Sequence, residues 1–336
     1  MRVAVLGAGS WGTALAALLA EAEGGGHDVV LWGRDEAAVA RMQAARENAR
    51  YLPGRRLPAS LTVTADLPSA VRGCGLAVFA VPSEGVRQTA TQAAMILADQ
   101  QSRPVVACAS KGLEAATRST LDRVLAEALP DGPVVLLSGP TFAAEVARGL
   151  PAAAVAASRD AAAAQVVQRI LTCERFRVYT TEDVIGVAIG GALKNVIAIA
   201  AGCSDGLGFG DNARAAIITR GLSEVGRLAA RLGANPLTLA GLAGLGDLVL
   251  TCTGELSRNR KVGLGLGRGQ RLPEVVAGLG QVAEGIGTAR IARDLARALN
   301  VEMPITCQVA ALVHDGKTPH EVVAALLSRE AKPERG

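Results

Sequence analysis

Along the first 180 residues, apolar positions alternate between short runs of strand length and longer stretches of helical spacing. Val3 to Leu6 is a short strand-like run, and the Ala/Leu-rich segment Thr13 to Ala20 reads as a helix. Further strands are predicted at Asp28–Gly33, Leu61–Thr64, Leu76–Val81 and Pro104–Ala109, with helices at Glu84–Ala98 and Ser119–Ala128. Three more strands follow at Val134–Leu137, Ala152–Ala157 and Phe176–Tyr179, and the Ala-rich Asp160–Thr172 forms another helix. This alternation predicts a doubly wound α/β sheet whose last part has room for antiparallel strands.

The texture changes near Thr180–Asp183, where Thr and Asp are good N-caps and no convincing strand follows. Helical runs cover Val184–Ala201, Asn212–Leu232, Ser257–Leu266, Pro273–Ala277, Gly287–Leu299, Pro304–Val313 and Pro319–Leu327. The expected division is therefore a doubly wound domain over 1–182 and an all-helical domain over 183–330, with a frayed tail from Ser328.

Between the first strand and the first helix stands Gly7-x-Gly9-x-x-Gly12, in the order that a dinucleotide-binding fingerprint requires. Gly7 permits the tight turn, Gly9 lets a pyrophosphate approach the backbone, and Gly12 lets helix and strand pack closely. The helix N-terminus adds N–H donors and a positive dipole end. The N-terminal part is thus expected to be Rossmann-like. About twenty residues on, where an NAD-specific site usually places an acid, stand Gly33-Arg34, with Asp35 one step later. An arginine at this corner can pair with a 2′-phosphate; a solvated arginine in a turn is the competing reading.

Composition narrows the classes. Half of the 336 residues are hydrophobic but only 2% aromatic, so Ala, Val, Leu and Ile must build the core. A net charge of +4, without basic runs, gives a nucleic-acid role little support and leaves room for a mildly positive cleft. Six scattered cysteines and three histidines offer no zinc constellation, so no metal is expected, and cysteines in apolar runs suit a reducing compartment. Met1 leads straight into a strand, and Lys194, Asn195 and three glycines interrupt the most apolar segment, Val184 to Cys203. Neither a signal peptide nor stable membrane insertion is expected, and the chain reads as cytoplasmic.

Moving a proton alongside a hydride needs a titratable group. The histidines occupy turn and helix-flanking positions. Arginine dominates the basic residues, with lysine only at 111, 194, 261, 317 and 332. A buried lysine shifts its pKa downward readily, whereas arginine keeps its proton. Lys194 is the only charge in the long apolar helix at the expected domain boundary, just after Gly190 and Gly191. Lys111 follows a strand end, where ligands bind in open α/β sheets. Ser138-Gly139-Pro140-Thr141 follows another strand, and Thr141 could cap a helix or touch ligand. Asp247 ends a glycine-rich helix connection, where it could bind a substrate hydroxyl, orient Lys194 or cap a helix. Ser257-Arg258-Asn259-Arg260, at a helix start, suits a phosphate. The second glycine cluster, Gly263 to Gly269, has no strand before it and is read as a decoy.

Six blocks in order resemble the bacterial NAD(P)-dependent glycerol-3-phosphate dehydrogenases, from Val3 to about Leu327. They are Gly-Ala-Gly-Ser-Trp-Gly-Thr-Ala, Ser-Lys-Gly-Leu-Glu, Ser-Gly-Pro-Thr-Phe-Ala, the block Gly-Gly-Ala-Leu-Lys-Asn, Gly-Leu-Gly-Asp-Leu-Val-Leu-Thr-Cys-Thr and Ser-Arg-Asn-Arg. The resemblance implies reduction of dihydroxyacetone phosphate to sn-glycerol 3-phosphate for phospholipid synthesis, NADP or NAD as cofactor, and a homodimer. By that similarity Lys194 is the general acid in reduction and the base in oxidation. Lys111, Gly139, Thr141, Asp247, Ser257, Arg258 and Asn259 fall on substrate positions. Ser10, Trp11, Arg34, Ala143, Val282 and Glu284 fall on cofactor positions, with Lys111 and Arg258 touching both ligands. The run Gly24-Gly25-Gly26 is extra relative to the usual spacing and bears on the Arg34 assignment. The competing readings are a related two-domain hydroxy-acid or keto-acid reductase and a non-catalytic NAD(P)-binding redox sensor.

Overall fold

The computed structural model describes the chain except residues 23–26, 99–102, 131, 331–332 and 334–336, so the extra glycines at 24–26 lie outside the described residues. Eight strands form one sheet: β1 (Arg2–Leu6), β2 (Asp28–Trp32), β3 (Thr62–Thr64), β4 (Leu76–Phe79), β5 (Val105–Cys108), β6 (Val134–Ser138), β7 (Ala152–Ala157) and β8 (Phe176–Thr181). Their order is β3-β2-β1-β4-β5-β6-β7-β8. Neighbours are parallel except β6 and β7, where Leu137 faces Ala156. The antiparallel step expected late in the sheet falls at β7, and β8 then runs parallel to it.

The central strands read as continuous apolar runs because both faces are covered. Val3, Ala4, Val5 and Leu6 are all 0% exposed. Val3 and Val5 join one core layer with Leu15, Leu19 and Val78, and Ala4 and Leu6 join the other with Phe79, Val86 and Ala90. Strand pleating sends alternate residues to opposite faces, so one run feeds two cores. Leu6 pairs with Trp32 on one side and Phe79 on the other. The chain winds outward from β1 to β3, then crosses back to β4, which places the topological switch point beside the C-terminal end of β1.

The described chain forms two compact units: Met1–Gly191 with Ala234–Asp247, and Ala192–Gly233 with Leu248–Gly336. Asp183 explains why 234–247 belongs with the sheet. One of its carboxylate oxygens accepts from Gly186 N–H and the other from Asn235 N–H, both at 2.9 Å. Gly190 completes the contact, since a Cβ there would lie 2.9 Å from the Ala243 carbonyl oxygen.

In the second unit, no named strand occurs among the described residues. Its helices pack through glycine. A Cβ on Gly263 would overlap the Ile199 carbonyl oxygen, and one on Gly202 would overlap that of Arg260. Gly263 and Gly267 thus press the helix Arg258–Gly267 against the backbone of Ile199 and Cys203, while Gly265 makes room for Val275, which gives the cluster a structural reason.

Several helices went unanticipated: Glu36–Ala45, Leu67–Val71, Ala143–Ala147 and Pro236–Ala240. The segment expected as a glycine-rich connection before Asp247 is itself helical. Leu242–Gly246 forms a π turn that runs directly into the helix Asp247–Thr253. Val184–Gly206 is long and apolar enough to cross a membrane by composition, and 83% of its most apolar stretch is buried within the protein.

Candidate active site

The glycine turn divides its labour sharply. Gly7 has φ +122°, and a Cβ there would lie 2.7 Å from the Ala80 carbonyl oxygen. A Cβ on Gly12 would overlap the Gly7 carbonyl oxygen. Both glycines are required by the fold itself. Gly9 is different: a Cβ there would meet nothing within 4 Å. Its φ of −77° is one that any residue adopts. The fold does not need Gly9, so its missing side chain leaves open space over a backbone that a pyrophosphate can approach. The helix Ser10–Ala20 starts at that point with Gly9 as its N-cap and no side-chain cap on its N–H groups.

Around the turn, the Ser10 hydroxyl donates to the Tyr51 carbonyl at 2.7 Å. Trp11 is half-buried against the cluster of Ala14, Leu52 and Ala147, and its ring centroid lies 6.5 Å from that of Phe176. It is a packing residue as well as a candidate cofactor contact. Arg34 is exposed just past the end of β2. Asp35 turns its carboxylate to the Ala38 N–H at 2.9 Å, capping the next helix. The nearest acid is thus occupied by a helix start, and a cation stands where the ribose corner is expected. Ala143 opens the helix Ala143–Ala147.

Also in the first unit, the Lys111 ammonium donates to Asp247 Oδ2 at 2.6 Å and to the Gly139 carbonyl at 3.0 Å. Asp247 is 1% exposed. The structure pairs this acid with Lys111, a partnership the sequence reading left out. Gly139, at φ +143°, could not carry a side chain: its Cβ would lie 2.8 Å from the Ala153 carbonyl oxygen. The Thr141 hydroxyl donates to the same Gly139 carbonyl at 3.2 Å. Lys111 borders a small cavity of about 20 Å³ with Ser110, Ser138 and Gly191, room for one water but not for a triose. Cys108, on the same cavity, is fully buried and its thiol is pushed up to about 12, which rules it out as a thiolate nucleophile.

In the second unit, Lys194 is 8% exposed, and its chain neighbours Leu193, Val196 and Ile197 are 0% exposed. Its ammonium donates to the Thr251 hydroxyl at 3.0 Å. Thr251, 4% exposed, was missed by sequence reasoning, although its block was in view. Asn195 was missed too. Its side-chain oxygen accepts from the Asn259 amide at 2.9 Å, and the Asn259 oxygen accepts from Gly285 N–H at 2.9 Å. Asn259 therefore ties three segments of the helical unit together. Ser257 caps the helix Arg258–Gly267, accepting from Arg260 N–H at 3.2 Å. Arg260 is held by Asp205 through two contacts of 2.9 and 2.7 Å. Arg258 meets solvent over much of its surface, yet the protein around it lowers its pKa by desolvation while Glu284 opposes the shift. It remains a cation at neutral pH. Glu284 opens the helix Glu284–Ala298, and Val282 lies exposed just before it.

A switch-point glycine turn with one open glycine defines the first unit as a dinucleotide-binding domain. Lys111, held by Asp247, and the buried Lys194 suit carbonyl reduction by a dehydrogenase. Residues 2–164 match the N-terminal part of the NAD-dependent glycerol-3-phosphate dehydrogenases, and residues 183–324 match the C-terminal part. The chain belongs to this family. It is 50% identical to the glycerol-3-phosphate dehydrogenase (NAD(P)+) of Anaeromyxobacter dehalogenans, over 99% of this chain and 100% of that one. It is 51% identical to the corresponding protein of Geobacter metallireducens, over 100% and 99% of the two chains. The crystal structure of the glycerol-3-phosphate dehydrogenase from Coxiella burnetii superposes with a TM-score of 0.93 at 42% identity, covering 98% of this chain and 99% of that one.

Proposed function

We propose that this chain reduces dihydroxyacetone phosphate to sn-glycerol 3-phosphate reversibly, with NADPH or NADH as the hydride source. The observation that carries the reading is Lys194, a buried lysine in the long, largely apolar helix Val184–Gly206, within a chain whose whole length matches the family. The nicotinamide cofactor supplies the hydride. The residues of this chain bind, orient and move the proton. Gly7, Gly9, Ser10, Trp11, Gly12, Arg34, Ala143, Val282 and Glu284 are the cofactor positions, with Arg34 toward a 2′-phosphate. Lys111, Gly139, Thr141, Asp247, Ser257, Arg258 and Asn259 are the substrate positions, and Lys111 and Arg258 serve both ligands. The Lys194 ammonium donates its proton to the carbonyl oxygen in reduction and takes it back in oxidation. At 8% exposure and with the Thr251 hydroxyl as an acceptor, that ammonium has few competing water partners. Arg258 and the N–H groups at its helix start take the phosphate, so Arg258→Ala should raise the substrate KM more than it lowers kcat.

In this reading residues 1–182 form the Rossmann-like dinucleotide-binding domain and 183–330 the all-helical substrate domain, each lending residues to the other's ligand. The product serves phospholipid synthesis, and the enzyme works as a cytoplasmic homodimer. The test is oxidation of NADPH and NADH side by side with dihydroxyacetone phosphate, unphosphorylated dihydroxyacetone and small 2-keto acids. Turnover should require the phosphate. Equal turnover without it points to a keto-acid reductase, and no oxidation with any substrate points to a redox sensor.

A further inference from the structure

The segment between the helix Glu36–Ala45 and β3 has no regular structure over most of its length, yet its start is fixed to the glycine turn by a set of buried polar contacts. Asn48 is 4% exposed. Its amide nitrogen donates to the Ala8 carbonyl at 2.9 Å and to the Thr13 hydroxyl at 2.8 Å. Its side-chain oxygen accepts from Tyr51 N–H at 3.3 Å. Ser10 reaches back from the turn to the Tyr51 carbonyl. Leu52 then buries against Ala14 and Ala147, with Trp11 packed beside them.

An asparagine side chain has two donors and an acceptor that takes two bonds. Here both donors go to the residues flanking Gly9 and the first turn of the helix behind it, while the acceptor holds the segment itself. Ala8 lies between Gly7 and Gly9. The Gly9 carbonyl is held by the Thr13 N–H at 3.0 Å, but without a side chain on Gly9 the Ala8–Gly9 peptide keeps a wide backbone range unless the Ala8 carbonyl is held as well. The direction of the Ala8 carbonyl sets the plane of the Ala8–Gly9 peptide, and so the direction of the Gly9 N–H that a pyrophosphate would meet. None of this is needed to hold the sheet, whose registry is complete without it.

We propose that Asn48 is a positioning residue for the cofactor: it fixes the glycine turn in its pyrophosphate-binding form before the dinucleotide arrives. The inference rests on Gly7–Gly12 being the dinucleotide cradle. It assigns Asn48 no contact with either ligand. Its loss is felt in cofactor affinity, because the turn must be ordered at the expense of binding free energy.

The experiment is direct titration of NADPH binding to the full chain without substrate, followed by the steady-state reaction. Asn48→Ala should raise the NADPH dissociation constant by about tenfold, the scale of one lost hydrogen bond. The KM for NADPH should rise in step, with the KM for dihydroxyacetone phosphate unchanged. Thr13→Val removes the other end of one contact at nearly constant volume, and keeps the test available if Asn48→Ala does not fold. It should weaken NADPH in the same direction, and the double variant should be no weaker than Asn48→Ala alone. Leu57→Ala is the stability control. Leu57 is 3% exposed at the far end of the same segment, so its loss should lower Tm at least as much and leave the NADPH dissociation constant within about twofold. NADPH affinity equal to wild type in both Asn48→Ala and Thr13→Val, or weakened as much by Leu57→Ala, overturns the proposal. A wild-type chain that fails to bind NADPH at all overturns instead the reading of the glycine turn.

Discussion

Lys194 shows what a single buried charge costs and what it can return. Taking an ammonium out of water among apolar groups is expensive unless partners compensate, and the Thr251 hydroxyl at 3.0 Å is one such partner. Burying a charge at that cost is reasonable where the charge has chemistry to do. Lys194→Ala should therefore lower turnover by about a hundred- to ten-thousand-fold, the usual worth of a positioned acid or base, with NADPH affinity near that of wild type. A variant with near-normal turnover sinks the assignment. Lys194 was legible in the sequence because it interrupts a long apolar run. Thr251 was not, because its partner is 57 residues away and a threonine in an apolar helix has no distinctive pattern. Asp247 was legible as a candidate, but its pairing with Lys111 spans 136 residues and had no local signal. A residue's type can be read from its neighbours in sequence, but its partner depends on the fold.

Among elements, the strands were legible because a run buried on both faces must be apolar throughout. The missed helices are either short, such as the five residues of Ala143–Ala147, or glycine-rich like Leu242–Gly246, where composition argues for a loop and tertiary packing prevails. Glycine also explains the packing of Arg258–Gly267. Gly263→Ala puts a methyl group into the Ile199 carbonyl, backbone that cannot move aside, and should destabilise the chain by about 1–3 kcal/mol or more in urea unfolding. Gly278→Ala, in the helix Leu272–Leu279, meets nothing within 4 Å and should stabilise by about 0.5–1 kcal/mol. If both variants shift stability alike, close helix packing is not the reason for the glycines. Another joint between elements is made by Glu224, 1% exposed. It accepts from Ile305 N–H at 2.6 Å and from the Thr306 N–H and hydroxyl at 3.1 Å, capping the helix Pro304–His314 from a different helix. Burial raises its pKa above the ordinary 4.5, against the pull of those hydrogen bonds. The folded chain then holds the proton more tightly than the unfolded chain. The resulting stability is fully present below 4.5 and is lost as pH rises through the folded value. Glu224→Gln keeps an acceptor but cannot ionise. Its stability relative to wild type should rise with pH across that window and be level on either side. A pH-independent difference between the two would show that Glu224 titrates as it does in the unfolded chain.

For the whole molecule, the question is whether the cradle is a property of the fold or of the ligand. The sheet order, both core layers and the tight packing at Gly7 and Gly12 are internal to the protein, and Gly9 alone among the three glycines answers to nothing inside it. A side chain at Gly9 should therefore be invisible to the unliganded fold and fatal to the cofactor, whereas one at Gly12 should damage the fold itself. Linkage makes the distinction measurable on the intact chain. A ligand that binds only the native state adds stability of RT ln(1 + [L]/Kd), about 2.7 kcal/mol at a hundred times Kd. Wild-type protein should melt several degrees higher at saturating NADPH, since about 1 kcal/mol moves Tm by a few degrees in a chain of this size. Gly9→Val should match wild type in the absence of NADPH and show no upward shift in its presence. Gly12→Ala should melt lower even without cofactor. A Gly9→Val chain that is already destabilised without NADPH would mean that the open space over Gly9 is filled by the protein in solution. One that still gains the full shift would mean that the dinucleotide does not bind across this turn.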